Sequence, residues 1–400
     1  MVDLLVDEII SKEGPLCEFC RNSLEGEPLE TLLGYATNLI ESDEPEVSGC
    51  SLCGGLIGRN LGKMLKIALR KLSEIEFESI KAAVLLPVNL IEREDRIRAK
   101  YNPPGMRSVK LTLIKLLDEL LRSILSKPVS EEATVTLLFD FRKRDVDLKI
   151  APVFVFGRYR KLKRGISQSR RKCPDCGGRG CVNCGWKGRT AEGSVEGMIG
   201  KVMIEFFEAE DYLIHGAGRE DVDARMLGEG RPFVMEIINP KRRSVNLGEL
   251  EREINFRWSG MIEVSGLRPS NREELRSLKE SSPMTRKSYR ALVEVEGEVS
   301  EEELKYLKEK LEGAIIKQRT PTRVLWRRSD LIRVKKVYEV NIKRISDNRF
   351  ELYLVCDGGL YVKELISGDH GRTTPSVSEI LGKKSFCTEL DVVGVMIPTE

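Results

Sequence analysis

The stretch His215-Gly-Ala-Gly-Arg-Glu-Asp-Val-Asp-Ala-Arg-Met-Leu227 crowds acids, arginines and glycines into one short segment. In an extended backbone Arg219, Asp221, Asp223 and Arg225 project to one side, which sets carboxylates between guanidinium groups. Gly216 and Gly218 allow a sharp turn and the close approach of a ligand. Spacing alone suits equally a surface loop held by i, i+2 ion pairs, in which Asp221 is one acid among three. Phosphate cradling fits less well, because GAGRED lacks the lysine and the helix start of a P-loop.

The cysteines form the second group with chemistry in their spacing. Of ten, eight fall into four CxxC pairs: Cys17/Cys20 and Cys50/Cys53, then the compact set Cys173/Cys176 and Cys181/Cys184. Two thiolates at this spacing converge on one tetrahedral ion, and two such knuckles complete a four-sulfur shell. Gly177, Gly178, Gly180 and Gly185 surround the second set and let backbone amides approach the sulfurs. Disulfides are disfavoured inside a cell, and four redox pairs in two sets would be unusual, so metal is the better reading. One structural zinc is expected in the first set, and a second zinc is less firmly implied in the other. Neither is catalytic, since four thiolates leave no position open for water. Cys356 lies in an apolar strand-like run and reads as buried, while Cys387 has no partner at CxxC spacing.

The elements that position these groups can be read coarsely. Four hundred residues exceed one ordinary core, so several domains are expected. Helices are predicted over 61–72 and 106–127, and strands over 82–89, 133–141 and 147–156. Further strands are predicted over 231–238, 290–295, 334–342 and 349–355. Ser300 and Glu303 form a capping box that opens a helix over 300–312, closed by Gly313. The fold class is therefore α+β. A four-cysteine segment (1–56) leads into an α/β module (57–170), a second knuckle (171–190) and a domain (191–400) with a mixed or antiparallel sheet and a cleft.

Charged residues make up 32% of the chain, yet there are only two glutamines and two histidines. Abundant ion-pairing residues with few glutamines is the composition expected of a heat-adapted source. The net charge of +3 hides a local bias: eight basic residues and no acid from Arg158 to Lys172, and eight against Asp330 alone from Lys317 to Lys336. These runs hold Tyr159 and Trp326, which suits a polyanion whose bases stack on rings. The opening MVDLLVDEIISKEG lacks a basic n-region and a long apolar core. No apolar run is long enough to span a membrane. A cytoplasmic protein acting on nucleic acid is the expectation, as a monomer and without an obligate protein partner.

GREDVDARML followed by RPFVMEIINPKRR resembles the archaeal and eukaryotic tRNA pseudouridine-54/55 synthase family, the pseudouridine synthases with a THUMP-containing N-terminal domain. The likeness continues through Lys287-Ser-Tyr-Arg-Ala, Lys317-Gln-Arg-Thr-Pro-Thr-Arg-Val324, Gly359-Leu-Tyr-Val-Lys-Glu-Leu-Ile-Ser-Gly-Asp369, RGISQS (Arg164 to Ser169) and the cysteine pairs. It covers nearly the whole chain. The α/β layout with its basic exit is likewise similar to a THUMP module. Gly218-Arg-Glu-Asp221 looks like the G-R-x-D motif, so the resemblance implies that Asp221 is the covalent carboxylate, attacking ribose C1′ or the uracil ring. It implies that Tyr289 contacts the target base and that Tyr361 is a second substrate contact. It further implies that Lys363 keeps Asp221 ionised and that Arg219 helps splay the nucleotide. Asp223 is the rival nucleophile. The implied partner is tRNA, held at its T arm and elbow, and the reaction needs no organic cofactor. Two rivals stand beside this reading: another THUMP-bearing modifier, which would need a cofactor loop or P-loop, and a non-catalytic zinc-ribbon tRNA-binding protein.

Overall fold

The computed structural model describes residues 2–41, 49–102, 105–190, 193–281 and 285–396. Residues 191–192 of the GRTAEGSVEG segment lie outside them. The chain divides into two compact units, one of residues 1–152 with 239–244, the other of 153–238 with 245–400.

The first unit begins with α1 (Val2–Glu13), α2 (Glu18–Glu25) and α3 (Leu29–Glu41), followed by α4 (Leu56–Leu72). Then come β1 (Ile80–Leu85), α5 (Val88–Tyr101), α6 (Val109–Leu125), β2 (Val135–Asp140) and β3 (Asp145–Ile150). Leu61, Met64, Leu65, Ala68 and Leu72 recur on one face of α4 and are buried, as their spacing predicts. In α6 the same rule buries Leu113, Leu116, Leu117, Leu120 and Leu121. The strand expected over 82–89 stops at Leu85, because Pro87 caps α5 instead of continuing a ladder. β1 pairs with β2 in parallel and β2 with β3 antiparallel, with Val84, Leu137, Phe139 and Val146 in the core.

The expected strand over 147–156 is two strands. Ala151 and Pro152 break it, and β4 (Val153–Lys161) belongs to the second unit. That unit continues with β5 (Arg171–Lys172), β6 (Arg189–Thr190), α7 (Val195–Phe207), β7 (Asp211–Gly216) and β8 (Arg225–Ile238). Next are α8 (Leu247–Arg257), β9 (Ile262–Ser270), α9 (Arg272–Ser281), β10 (Arg286–Val295) and α10 (Glu301–Leu311). It ends with β11 (Ile315–Arg319), β12 (Ile332–Ser346), β13 (Arg349–Asp357), α11 (Val362–Ser367), β14 (Thr373–Thr374), α12 (Val377–Leu381) and β15 (Ser385–Met396). The capping box on α10 forms as expected, Ser300 accepting from the Glu303 amide and Glu303 from the Ser300 amide.

Ten of these strands make one mixed sheet in the order β14-β11-β12-β13-β10-β15-β8-β4-β9, with β7 also on β8. Every pairing in it is antiparallel except β8 with β15, where Arg225 stands beside Asp391 and Met226 beside Val392. Two antiparallel halves therefore meet at that one step. Residues 217–224, the link between β7 and β8, run up to this step. Among the described residues no helix is long and apolar enough to cross a membrane.

Candidate active site

The loop from Ala217 to Ala224 is held from beneath by buried polar groups. Glu220 and Arg231 form an ion pair at 2.8 Å with side chains 0% and 1% exposed. Tyr159 donates its hydroxyl to both Glu220 oxygens, at 2.9 and 3.0 Å. Gln168 donates to the Gly218 carbonyl at 2.9 Å, and Arg231 to that of Ala217 at 2.7 Å. Lys161, itself buried, donates to the carbonyls of Asp221 and Val222 at 3.0 and 3.2 Å. Buried charges are tolerated only when paired and hydrogen-bonded, and here each has its partners. Gly218 has φ +86, a backbone conformation that favours glycine, and a Cβ there would lie 2.5 Å from Lys287 Nζ, so that lysine would have to move.

So anchored, the loop is not the extended run its spacing suggests. It turns at Val222 and Asp223 and separates the four side chains expected on one side. Arg219 and Asp221 face a cavity of about 420 Å³, which Lys287, Tyr289, Arg323, Tyr361 and Lys363 also line. Arg225 points elsewhere: it binds Asp391 through two hydrogen bonds of 2.9 and 2.8 Å, alongside Arg164.

The cavity brings Arg219, Asp221, Tyr289, Tyr361 and Lys363 together from three places in the chain. Tyr289 is on β10, beside Val392 of β15 and Leu354 of β13. Tyr361 is the N-cap of α11, and Lys363 lies in its first turn. Lys363 Nζ is 3.6 Å from Asp221 but 2.6 Å from Asp223, so it spans both acids. Burial pushes the Asp223 carboxyl up, and the Lys363 contact outweighs it, leaving Asp223 below its usual range. Burial pushes the Tyr289 hydroxyl up, so that phenol stays protonated at neutral pH.

Arg323 is the side chain that sequence reasoning missed. It stands in a 3₁₀ turn, Thr322–Arg327, between β11 and β12. Its Nη2 lies 2.9 Å from Asp221, its Nε donates to the buried Glu364 at 2.6 Å, and its guanidinium sits 5.9 Å from the Tyr361 ring centroid. Lys287 was also without a role. Burial, with Arg231 nearby, draws its ammonium down to about 8. Both residues lie in segments quoted for the resemblance, KQRTPTRV and KSYRA, but spacing gave no hint that they would line the same cavity as Asp221. Asp221 thus carries two cations in a cavity whose other walls are a tyrosine pair and further arginines. Such a site sets a doubly ion-paired carboxylate among cations that can meet an anionic substrate.

Both cysteine sets close up. The four sulfurs of each lie within 4.8 Å of one another. Cys17 and Cys53 sulfurs are 3.7 Å apart, Cys173 and Cys181 3.8 Å, and Cys176 and Cys184 3.9 Å. A tetrahedral ion with metal–sulfur bonds of ~2.3 Å separates its sulfurs by about 3.8 Å, so both shells fit a metal of zinc's geometry. Amides of Gly180, Cys181 and Gly188 point at sulfurs of the second set, each at 3.2 Å.

Comparison with known proteins places this geometry in a family. Residues 154–396 match the family model described as "Pus10, C-terminal". The tRNA pseudouridine synthase Pus10 of Korarchaeum cryptofilum is 64% identical over 372 residues, 93% of this chain and 100% of that protein. That of Methanocaldococcus jannaschii is 41% identical, covering 89% of this chain and 77% of its own. That of Pyrococcus furiosus is 39% identical over 98% of this chain and 97% of its own. With its family region spanning the whole cavity and these relatives matched over at least three quarters of their lengths, this chain belongs to the Pus10 family of tRNA pseudouridine synthases.

Proposed function

We propose that this chain converts uridine to pseudouridine in the T loop of tRNA, at position 54, 55 or both, with Asp221 as the covalent nucleophile. Family membership makes it an isomerase acting on tRNA. The observation that carries the finer reading is the double pairing of Asp221 with Arg323 and Lys363 on the wall of a cavity that also holds Tyr289. Two cations hold the carboxylate in place beside the tyrosine, and a cation-lined cavity draws in phosphate.

In the reaction the bond from N1 to C1′ breaks, the detached uracil turns, and C5 bonds to C1′. C5 then loses its proton and N1 gains one, so the product is an isomer and no cofactor is consumed. Asp221 attacks either C1′, its C–O bond then breaking as C5 bonds to C1′, or the ring, from which it is expelled again before the product leaves. Either route divides one difficult displacement into easier steps. Tyr289, protonated and buried, packs against the base. Tyr361 is a second contact, and Arg219, exposed at the cavity mouth, occupies the space that a nucleotide vacates when it leaves its stack. Asp223 is disfavoured as nucleophile because Lys363 holds it at the shorter distance and its side chain is 68% exposed. Structural zinc in the two cysteine sets and a cytoplasmic site of action complete the reading.

The test is Asp221→Asn assayed on unmodified tRNA transcripts with no added cofactor, mapping pseudouridine at nucleotide resolution. The variant folds, keeps its metal and binds tRNA, but makes no pseudouridine. Turnover by that variant would sink the assignment, and the map made with the unaltered protein reads out position 54 against 55.

A further inference from the structure

The second cysteine knuckle presents a surface that the reaction does not use. Trp186 closes it with its side chain outward, the residue being 73% exposed and at φ +63. An exposed indole gains nothing from burial, and the left-handed region disfavours a bulky side chain. Its backbone is fixed nonetheless: the Trp186 amide donates to the Cys181 carbonyl at 2.8 Å. At Gly180 a Cβ would lie 2.6 Å from the Trp186 carbonyl, so only glycine lets the two strands of the knuckle close. Val182, 77% exposed, stands on the same short segment.

The charge around this ring has one sign. Arg171, Lys172, Arg179, Lys187 and Arg189 are exposed, and Asp175 is the one acid in 171–190. Asp175 is occupied by Asn183, whose amide donates to it at 3.1 Å. β5 and β6 pair so that Lys172 stands directly opposite Arg189. Like charges facing across a ladder repel, and no carboxylate among the described residues pairs with either. An exposed indole on a fixed backbone, on a segment whose cations pair with no carboxylate among the described residues, matches a nucleic-acid strand, whose bases stack on rings and whose phosphates take the charge. A protein groove would call for carboxylate partners or a wider apolar face.

We propose that the Cys173–Cys184 knuckle is a second RNA contact, in which Trp186 stacks an unpaired base of the substrate and Arg171, Lys172 and Arg189 meet the flanking phosphates. The inference rests on the reading of tRNA as substrate. It assigns the knuckle to affinity, apart from the Asp221 cavity.

The experiment uses the full chain and a labelled, unmodified tRNA transcript, with affinity read by fluorescence anisotropy. Trp186→Asn is chosen because asparagine is at ease at positive φ. It weakens binding by roughly tenfold and leaves turnover at saturating tRNA unchanged, while Trp186→Phe stays within about threefold of the parent. Lys172→Ala with Arg189→Ala lowers the slope of log Kd against log salt by about 1.4, the share of two single-strand phosphate contacts. Parent-like affinity in Trp186→Asn, with metal content and melting preserved, overturns the proposal. If that variant sheds its metal, Trp186→Leu against Trp186→Phe decides, and equal affinities overturn it. Absence of pseudouridine from the parent reaction would instead defeat the substrate reading, and the affinity comparison would still stand.

Discussion

Arg323 sits 2.9 Å from the carboxylate of Asp221, nearer than Lys363 at 3.6 Å. The same guanidinium is tied to Glu364, whose side chain is 8% exposed, so one arginine joins the proposed nucleophile to a buried carboxylate. Glu364 fixes where Arg323 can be, and Arg323 fixes the orientation of Asp221.

Arg323→Met therefore acts twice. It leaves Glu364 without its cation, at a stability cost of about 1–3 kcal/mol, and it frees Asp221, lowering single-turnover rate by about 10²-fold. Adding Glu364→Gln removes the stranded charge and recovers part of the melting temperature, but none of the rate. Recovery of both would mean that Arg323 serves the fold alone.

The Glu220–Arg231 pair is the next expected weak point. Its side chains are essentially inaccessible, and Glu220→Ala strands a guanidinium together with the Tyr159 hydroxyl. The loss should reach roughly 3–5 kcal/mol. Glu220→Gln, which still accepts from Tyr159, should lose less. Hydrogen exchange localises the effect: amides of 217–224 lose protection first. Uniform loss across the sheet would contradict an anchoring role for the pair.

Much of this was legible in the chain and some was not. Long periodic elements such as α4, α6 and α10 were legible because burial there follows local spacing alone. The cysteine shells were legible because CxxC geometry is local too. The break at Ala151 and Pro152 was marked only by that proline, inside a run whose strand-forming residues continue on both sides, and the run was read through as one strand. Motif resemblance singled out Asp221, Tyr289 and Tyr361, and the fold brings the three to one cavity. Arg323 and Lys287 depend on the order of strands β11, β12 and β10 in the sheet, a long-range property that no spacing encodes. The basic run 158–172 misled in part, since Lys161 and Arg170 are buried structural cations and not a solvated face.

Metal removal should separate the two cysteine sets. Cys20, Cys50 and Cys53 are part of the core of the first unit, packed with residues such as Leu24 and Leu61. Cys181 and Cys184 are half-exposed on a short loop outside the core of the second unit. A chelator titrated in should release the second ion first with little change in melting, and loss of the first should unfold its unit. The readouts are a zinc-sensitive dye followed alongside the melt. A single release step coincident with global unfolding would contradict the distinction.

Lys287 gives a pH dependence whose sign is fixed by its surroundings. Burial first, then Arg231, draws its ammonium from 10.5 to about 8, and burial does the same to Lys161. An unfolded chain keeps these lysines protonated up to about 10.5, so between about 8 and 10.5 it binds more protons than the fold does. Stability therefore rises with pH through that window, and below it the fold bears the cost of a buried ammonium. Lys287→Met, similar in volume and without charge, should be more stable than the parent at pH 7, by on the order of 3 kcal/mol. The gain should shrink as pH climbs from about 8 and vanish near 10.5. Because Lys287 lines the cavity, the same variant should bind tRNA more weakly at pH 7. Denaturant melts at pH 7 and pH 10 check the first statement and anisotropy the second. An equal stability gain at both pH values would show that the ammonium is not desolvated.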